Sequence, residues 1–502
     1  MKKKLLFLMA AIALFVPSVK AAELTASTDA ELINAFSTAA SGDTIKLTAN
    51  IENHKGNSSS LMVTGGKSLT LDLNGHNLST DPTMLPDSTG KLTIPENKSI
   101  IIDNGSLTIT GTGTITHKGH VAVNVWASTT STTEPYSTLT VGKNVTLNGN
   151  TGISVFYGTT TQSYGGVVNF QGTINATENG ITVNGYIKET SNRPVINVKA
   201  GATVNAAGKN AVALYGAGNA VWNIEEGTKI TGEGSAIGAK SGTYNIKGGE
   251  FTATGAYVPR PENYGNGINP SGSTIQIETN PQSYYGNVEM YIKDGIFTSK
   301  NGNSILEYGS DEETAVGTIE ITGGDFSNPE GIAPISISDP LKELQESEQR
   351  VRPISIVTAS FTNEIDNKYL AEGTVSIKLA AILSDTKEST IYNTIVVPKG
   401  TTFDEDVIAD LNKLIGEEED GYKLEGYYLD KELKTKADFT KAFQENTTLY
   451  MNFVKVEAKG NNTETKNPQT SDINLVLILS AIALASAGTA LSIKKRTVKV
   501  SK

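Results

Sequence analysis

The sequence predicts an all-β chain whose body is a right-handed parallel β-helix, and two observations support this prediction. From residue 44 to about residue 361 the chain is rich in Gly, Thr, Asn, Ile and Val, and short apolar alternations such as Ser68-Leu69-Thr70-Leu71 recur between turns that contain Gly or Asn. Alternation with a period of two is typical of strands. The second observation is a repeat of roughly 20 to 30 residues, which is typical of coils that stack and bury their apolar faces against each other.

The repeat is clearest in a six-residue rung motif, which has an apolar residue first, a turn element three residues later and Phe five residues later. Its copies are Ile246–Phe251, Ile292–Phe297, Ile321–Phe326 and Ile356–Phe361. The last copy has Ala359 where the others have Gly, so its turn should need a positive φ less strongly. We predict that the four phenylalanines form one ladder inside the β-helix. An array of β-sandwiches is the alternative, because strands at short regular spacing also occur there.

Residues 22–43 are predicted to cap the β-helix, which would itself extend over residues 44–373. Thr28-Asp29-Ala30-Glu31 has the capping-box pattern of a helix start. An apolar stripe follows at Leu32, Ile33, Ala35, Phe36 and Ala39. Because the open end of a solenoid needs a cover, we expect a short amphipathic helix over the first rung.

This opening, with Thr44-Ile45-Lys46-Leu47 and Leu71-Asp72-Leu73-Asn74-Gly75-His76, resembles the start of pectate-lyase-like β-helices of bacterial surface proteins. The resemblance implies a fold more specifically than an activity.

A different pattern with more charge follows at residues 390–456. Ile395–Gly400 indicates a strand and a turn. A helical stripe then runs through Val407, Ile408, Leu411, Leu414 and Ile415, behind the carboxylates of Asp404, Glu405 and Asp406, which would stabilise the positive end of that helix. Gly421–Asp430 and Thr447–Phe453 resemble the internalin B-repeat (Listeria–Bacteroides repeat), a small β-grasp-like module in which Trp commonly stands where this chain has Tyr427 and Phe453. A polar linker is predicted at residues 457–466.

The C-terminal residues 467–502 carry three ordered features. The pentapeptide Asn467-Pro468-Gln469-Thr470-Ser471 precedes an uncharged stretch at residues 473–493, and a basic tail follows. The stretch is long enough to cross a hydrocarbon core of roughly 30 Å as a transmembrane helix, and the basic residues favour a cytoplasmic end. The arrangement resembles the cell-wall sorting signal of Gram-positive surface proteins, in an NPxT variant of LPxTG. The resemblance implies that a sortase cleaves after Thr470 and links the chain to peptidoglycan; an ordinary tail anchor is the alternative.

The N-terminal residues 1–21 have the pattern of a signal peptide. Three lysines precede an apolar run from Leu5 to Val16, and small or apolar residues stand at Val19 and Ala21. We expect cleavage between Ala21 and Ala22. The chain would be secreted and anchored to the wall of a Gram-positive bacterium, with the membrane as a transient sorting intermediate.

Charge and cysteine content exclude several functions. Nine of the 42 basic residues and one of the 53 acidic residues lie in the two end segments, so the formal net charge would change from −11 to −19 on maturation. A chain this acidic repels polyanions, so no nucleic-acid partner is expected. The chain has no cysteine, which excludes disulfides, thiolate metal sites and thiol catalysis.

The candidates for chemistry are sparse. Arg193 and Arg260 each precede a proline, and the acidic run at residues 311–313 is typical of a solvated turn. His117 and His120 need not share a face, His54 and His76 are isolated in sequence, and Trp126 and Trp222 could stack on sugars or pack in a core. We therefore predict no catalytic, cofactor-binding or metal residues.

The expected function is that of a non-catalytic, wall-anchored adhesin or binding protein for an extracellular glycan or protein ligand. The alternative is a polysaccharide-active lyase or glycoside hydrolase of the pectate-lyase-like type.

Overall fold

The computed structural model describes residues 21–54, 61–80, 85–86, 92–93, 100–127, 137–157, 165–185, 193–258, 270–279, 287–309, 317–337, 354–385, 389–415, 418–419 and 422–456. Val19 and the rest of the predicted signal peptide up to residue 20, the linker at 457–466, and the sorting signal with its helix at 473–493 lie outside these ranges. Neither helix within them is both long and apolar enough to cross a membrane.

The chain is all-β, and its longest sheet has 12 strands that are all parallel. The pairing runs steadily along the chain, from Glu23↔Thr44 at one end to Ile321↔Ile356 at the other. The strands of this first sheet are β1 (Glu23–Ala26), β2 (Thr44–Leu47), β5 (Ser68–Asp72), β10 (Ser106–Thr110), β12 (Thr138–Val141), β14 (Val167–Phe170), β16 (Val195–Val198), β19 (Val221–Ile224), β22 (Gly242–Ile246), β25 (Val288–Ile292), β28 (Gly317–Ile321) and β31 (Ile354–Ile356).

A second parallel ladder follows the first sheet in every coil after β1, which is followed by a helix. Three long strands each take part in two ladders. The first part of each strand pairs in the second ladder and the last part pairs in a third ladder, because the register shifts at a bulge, for example between His117 and Val121. The second ladder comprises β3 (Ile51–His54), β6 (Leu78–Thr80), β11 (Gly113–Ala127), β13 (Val145–Tyr157), β15 (Thr173–Gly185), β17 (Thr203–Ala206), β20 (Lys229–Gly232), β23 (Glu250–Ala253), β26 (Ile296–Ser299), β29 (Asp325–Ser327) and β32 (Ala359–Phe361).

The third ladder completes the coils that begin with β2 through β28. It comprises β4 (Met62–Thr64), β9 (Ile100–Asp103), the last parts of β11, β13 and β15, and then β18 (Val212–Gly216), β21 (Ser235–Ala239), β24 (Ile275–Thr279), β27 (Ile305–Gly309) and β30 (Ile335–Ile337). A separate antiparallel pair is formed by β7 (Leu85–Pro86) and β8 (Leu92–Thr93). Three parallel ladders around one apolar interior are compatible with a β-helix, and long parallel pairing does not suit the sandwich alternative.

The four rung phenylalanines form the predicted interior ladder. Phe251, Phe297, Phe326 and Phe361 occupy equivalent positions on neighbouring strands and are at most 1% exposed. Their ring centroids are 4.7, 4.7 and 5.0 Å apart and the rings stack. The turn glycine of the second copy, Gly295, has φ +133°, whereas the last copy makes its turn with Ala359. The prediction of the ladder is confirmed.

Two ladders of asparagine amides run along the outside of the coils. In the first sheet, each asparagine amide donates to the side chain at the equivalent position of the preceding coil, over N···O distances of 2.9 to 3.5 Å. The order from donor to acceptor is Asn245, Asn223, Asn197, Asn169 and finally the Thr140 hydroxyl. A similar ladder in the second sheet runs through Asn205, Asn175, Asn148 and Thr116. Half-buried amides with hydrogen-bond partners of this kind satisfy the polar groups of a flat outer face.

Helix α1 (Asp29–Thr38) covers the first coils, as the capping box predicted. The Thr28 hydroxyl accepts from the Glu31 amide at 3.3 Å, and the Glu31 carboxylate accepts from the Ser27 amide at 2.8 Å. Leu32, Ala35 and Phe36 are buried beneath the helix. The first sheet begins before this helix, because β1 pairs with β2. The parallel body therefore starts upstream of residue 44, the predicted boundary.

The C-terminal region is a mixed sheet with one helix against it. Its strands, in spatial order, are β34 (Ser389–Pro398), β33 (Thr374–Leu383), β37 (Thr447–Lys455), β36 (Tyr422–Tyr428) and β35 (Glu418–Glu419). The sheet therefore includes Thr374–Leu383, upstream of residue 390. Helix α2 (Glu405–Ile415) buries Val407 and Leu411 against it, and Asp404 accepts from the Val407 amide at 2.9 Å, as expected of a carboxylate at a helix start.

Candidate functional site

The residues weighed for catalysis do not assemble into an active site within the described part of the chain. Arg193 donates to the carbonyls of Asn219 and Ala220 at 3.1 and 3.0 Å, and to the Thr243 hydroxyl at 2.8 Å, so it fastens neighbouring coils. Arg260 and the acidic run at 311–313 lie outside the described residues. No group of three or more His, Asp or Glu side chains in the described ranges could hold a metal ion.

A buried ion pair has the residue types that the enzyme alternative would need. The Lys240 ammonium lies 2.8 Å from a Glu278 carboxylate oxygen, and both side chains are fully buried. Burial lowers the pKa of Lys240, while the Glu278 charge raises it. A lysine with a lowered pKa can serve as a base, but a polymeric substrate cannot reach a fully buried pair. The contact is therefore structural in this conformation.

The two tryptophans lie in different environments. Trp222 is fully buried and stacks on Tyr244, with ring centroids 5.8 Å apart. It belongs to the core and cannot meet a sugar. Trp126 is half-buried, and its register neighbour is Phe156.

Phe156 and Trp126 form the centre of an outward-facing column on the third ladder. In this column, Asp103, Trp126, Phe156 and Asn184 occupy equivalent positions on β9, β11, β13 and β15. Phe156 is 47% exposed, the largest value for any bulky apolar side chain in the described residues. Neighbouring strands are about 4.8 Å apart, so these four side chains present a continuous strip. We call this strip the aromatic column.

Of the two polar members of the aromatic column, Asp103 has unused hydrogen-bonding capacity, whereas the Asn184 amide donates to the Thr182 hydroxyl at 3.3 Å. Oδ1 of Asp103 is buried and has no hydrogen-bond partner, and burial raises the pKa of the Asp103 carboxyl. The Ser137 hydroxyl donates to the Trp126 carbonyl and accepts from the Asn104 amide at 2.8 Å, which fixes the backbone on both sides. A strip with an exposed ring beside a half-buried carboxyl group can bind a ligand that has both an apolar face and hydroxyl groups.

Two open grooves lie further along the chain. One, of about 530 Å³, lies between residues 333–337 and residues 364–369 with Lys378. Its charged side chains pair internally, Lys378 with Glu364 and Lys368 with Asp366. The other, of about 240 Å³, lies beside Tyr427 and α2. Tyr427 donates to Asn412 at 2.8 Å, and burial raises the pKa of its hydroxyl.

The histidines are placed differently from the sequence expectation. His54 and His117 are fully buried and line one small cavity, although they are far apart in the chain. His117 and His120 do contact each other, edge to face, with ring centroids 5.7 Å apart. The sequence expectation did not use the pairing of strands between coils. His54 ends β3 and His117 lies in β11, and both strands pair with β6 in the second ladder.

Of the predicted processing residues, Ala21 and Ala22 are described. The Ala22 amide donates to the buried Asp43 carboxylate at 2.8 Å, and the Ala22 carbonyl accepts from Thr44 at 2.9 Å. Val19 and the pentapeptide Asn467-Pro468-Gln469-Thr470-Ser471 lie outside the described residues. Comparison of the chain with protein-family models, with curated proteins and with solved structures finds no match.

Proposed function

We propose that this chain is a non-catalytic surface protein of a Gram-positive cell wall that binds an extracellular glycan. In this proposal a right-handed parallel β-helix carries the binding surface, and a β-grasp-like module of the internalin B-repeat type follows it. Sortase would link Thr470 to peptidoglycan. The ordered motifs at the two chain ends support the anchoring, and the aromatic column supports the binding.

The observation that carries the binding proposal is the exposure of Phe156 beside Trp126 and Asp103. A pyranose has an apolar face that can lie on an aromatic ring and hydroxyl groups that can donate to a carboxylate. The ligand is expected to be uncharged, because a chain with a net charge of −11, or −19 after processing, repels polyanions.

The binding test uses the full chain and a panel of neutral polysaccharides, with affinity electrophoresis as the measurement. Phe156→Ala should weaken binding by about 1 kcal/mol, or roughly fivefold, because about half of a Phe side chain's burial energy is lost. Leu429→Ala is the matched control, since Leu429 is 46% exposed on the C-terminal sheet. Equal affinity for wild type and Phe156→Ala would contradict the proposed surface.

Product formation is scored in the same incubations and separates the binding protein from the enzyme alternative. We expect no release of unsaturated or reducing sugar. Turnover that disappears when one or two carboxylates of the body are substituted would replace the proposal with a lyase or hydrolase.

Anchoring is tested by mass spectrometry of protein released from the wall with muramidase. The expected product begins at Ala22, ends at Thr470 and carries a peptidoglycan fragment. Wall-released protein that still contains Lys502 would contradict sortase processing.

A further inference from the structure

A small closed cavity lies inside the first coils, close to helix α1. Its volume is about 10 Å³, and its walls are mainly apolar, contributed by Leu61, Leu78, Ile100, Ile115 and Ala122. Four polar residues also line it, namely His54, Thr80, Thr116 and His117. Buried polar groups need a hydrogen-bond partner, and the Thr116 hydroxyl already accepts one from the Asn148 amide at 3.2 Å.

The hydrogen bonds of the imidazoles define which ring nitrogen is available. Nδ1 of His54 bonds to a carboxylate oxygen of Asp29 in helix α1. Nδ1 of His117 lies 3.3 Å from the Lys118 carbonyl, which can only accept. In a neutral His54 ring, Nδ1 therefore carries the proton and Nε2 has a lone pair that accepts.

The buried acceptor of His54 and the buried hydroxyl of Thr80 are both unsatisfied. Nε2 of His54 and Oγ1 of Thr80 have no hydrogen-bond partner among the described residues. His54 is fully buried and Thr80 is 6% exposed, so bulk water does not reach them. A buried polar group without a partner costs about 1 to 3 kcal/mol, which favours an occupant that bonds to both.

We propose that this cavity binds one water molecule, which donates to Nε2 of His54 and accepts from the Thr80 hydroxyl. A cavity needs about 10 to 15 Å³ to hold one water molecule, and buried waters typically make about three hydrogen bonds. His117 lines the same cavity. A transition-metal ion fits less well, because no group of three or more His, Asp or Glu side chains in the described ranges could hold one, whereas structural zinc sites use four ligands.

The water would extend a polar chain from the cap helix into the coils. The chain runs from Asp29 in α1 to His54 in β3, and then through the water to Thr80 in β6. It would fasten α1 to two successive coils.

The experiment uses the full chain labelled with ¹⁵N at histidine, which gives only four ring systems. Two-bond nitrogen–proton correlations report the tautomer, and cross-relaxation with water reports a long-lived bound molecule. We expect the Nδ1–H tautomer at His54 and a water signal at its ring. In Thr80→Val, which keeps the side-chain shape but removes the hydroxyl, the water signal should fall at least threefold. His76→Gln is the control and should leave it unchanged.

Three results would overturn the inference. An Nε2–H tautomer at His54 would remove the acceptor, and a His54 ring without a water signal in the wild-type chain would show an empty cavity. Stoichiometric shifts of the His54 and His117 resonances on addition of one equivalent of Zn²⁺ would show a metal site instead. All three results are measured on the wild-type chain, so they test the inference even if Thr80→Val fails to fold.

Discussion

The two ends of the parallel body are closed by different means. At the N-terminal end, helix α1 lies over the first coils and contributes buried side chains such as Leu32 and Phe36. At the C-terminal end, β34 of the following sheet pairs antiparallel with β32, the last strand of the second ladder. Val396 of β34 belongs to the same apolar cluster as the coils.

The difference has a consequence for cooperativity. A cap held by side chains can detach while the coils beneath it keep their own backbone hydrogen bonds. A cap held by a shared ladder couples the last coil to a second folded unit, because separating them exposes strand edges on both sides. We therefore expect a loose N-terminal end and a cooperative C-terminal end.

The largest expected effect is at the C-terminal end. Phe361→Ala removes the last ring of the phenylalanine ladder, whose neighbour Phe326 stacks on it at 5.0 Å. The free energy of unfolding should fall by about 3 to 5 kcal/mol. Denaturant unfolding followed by hydrogen exchange should show β32 and β34 losing protection together. Phe156→Ala is the control, since that ring is half exposed; protection lost in only one of the two strands would contradict the coupling.

At the N-terminal end, a substitution should affect fewer residues. Leu32→Ala opens a cavity under α1 and should cost about 2 to 5 kcal/mol locally. Hydrogen exchange should rise in α1 and the first strands, while the phenylalanine ladder keeps its protection. Ile33→Ala, at a half-buried position of the same helix, is the matched control. Simultaneous loss of protection across the whole chain would show that this end is as cooperative as the other.

The smallest effect concerns acid. Hydrogen bonds from the Ser27 amide and hydroxyl lower the pKa of Glu31. A carboxylate with a lowered pKa in the folded state adds stability above its unfolded value of about 4.3, and this stability is lost as the pH falls further. Exchange within α1 should therefore rise selectively below that pH, and Glu31→Gln should remove most of the difference. An unchanged pH profile in Glu31→Gln would assign the acid sensitivity to other carboxylates.

Several parts of this architecture could be predicted from the sequence, because they depend on local patterns. The rung motif placed the four phenylalanines correctly, since strand alternation and a fixed turn length determine which side chains point inward. The capping box located α1, because it is also a local pattern. Strand alternation could also have predicted the burial of the two tryptophans. Trp222 lies two residues before the apolar Ile224 and so points to the same face. Trp126 directly follows Val125 and so points to the opposite face.

What could not be predicted depends on the number of residues in each coil. His54 and His117 line the same cavity because β3, β6 and β11 are neighbours in one ladder, and this relation depends on the lengths of two connections. The aromatic column likewise requires β9, β11 and β13 to be in register. The pairing of β32 with β34 joins two regions whose sequence patterns differ, so neither pattern indicates it.

The asparagine ladders give the parallel body an electrostatic direction. Every amide donates toward the preceding coil, from Asn245 to Thr140 on one sheet and from Asn205 to Thr116 on another. Side-chain amide dipoles that align head to tail add and polarise one another. The outer faces of the first and second sheets therefore have a positive pole toward the N-terminus and a negative pole toward the C-terminus, and a polar chain molecule lying along them would meet a different field in each of its two orientations.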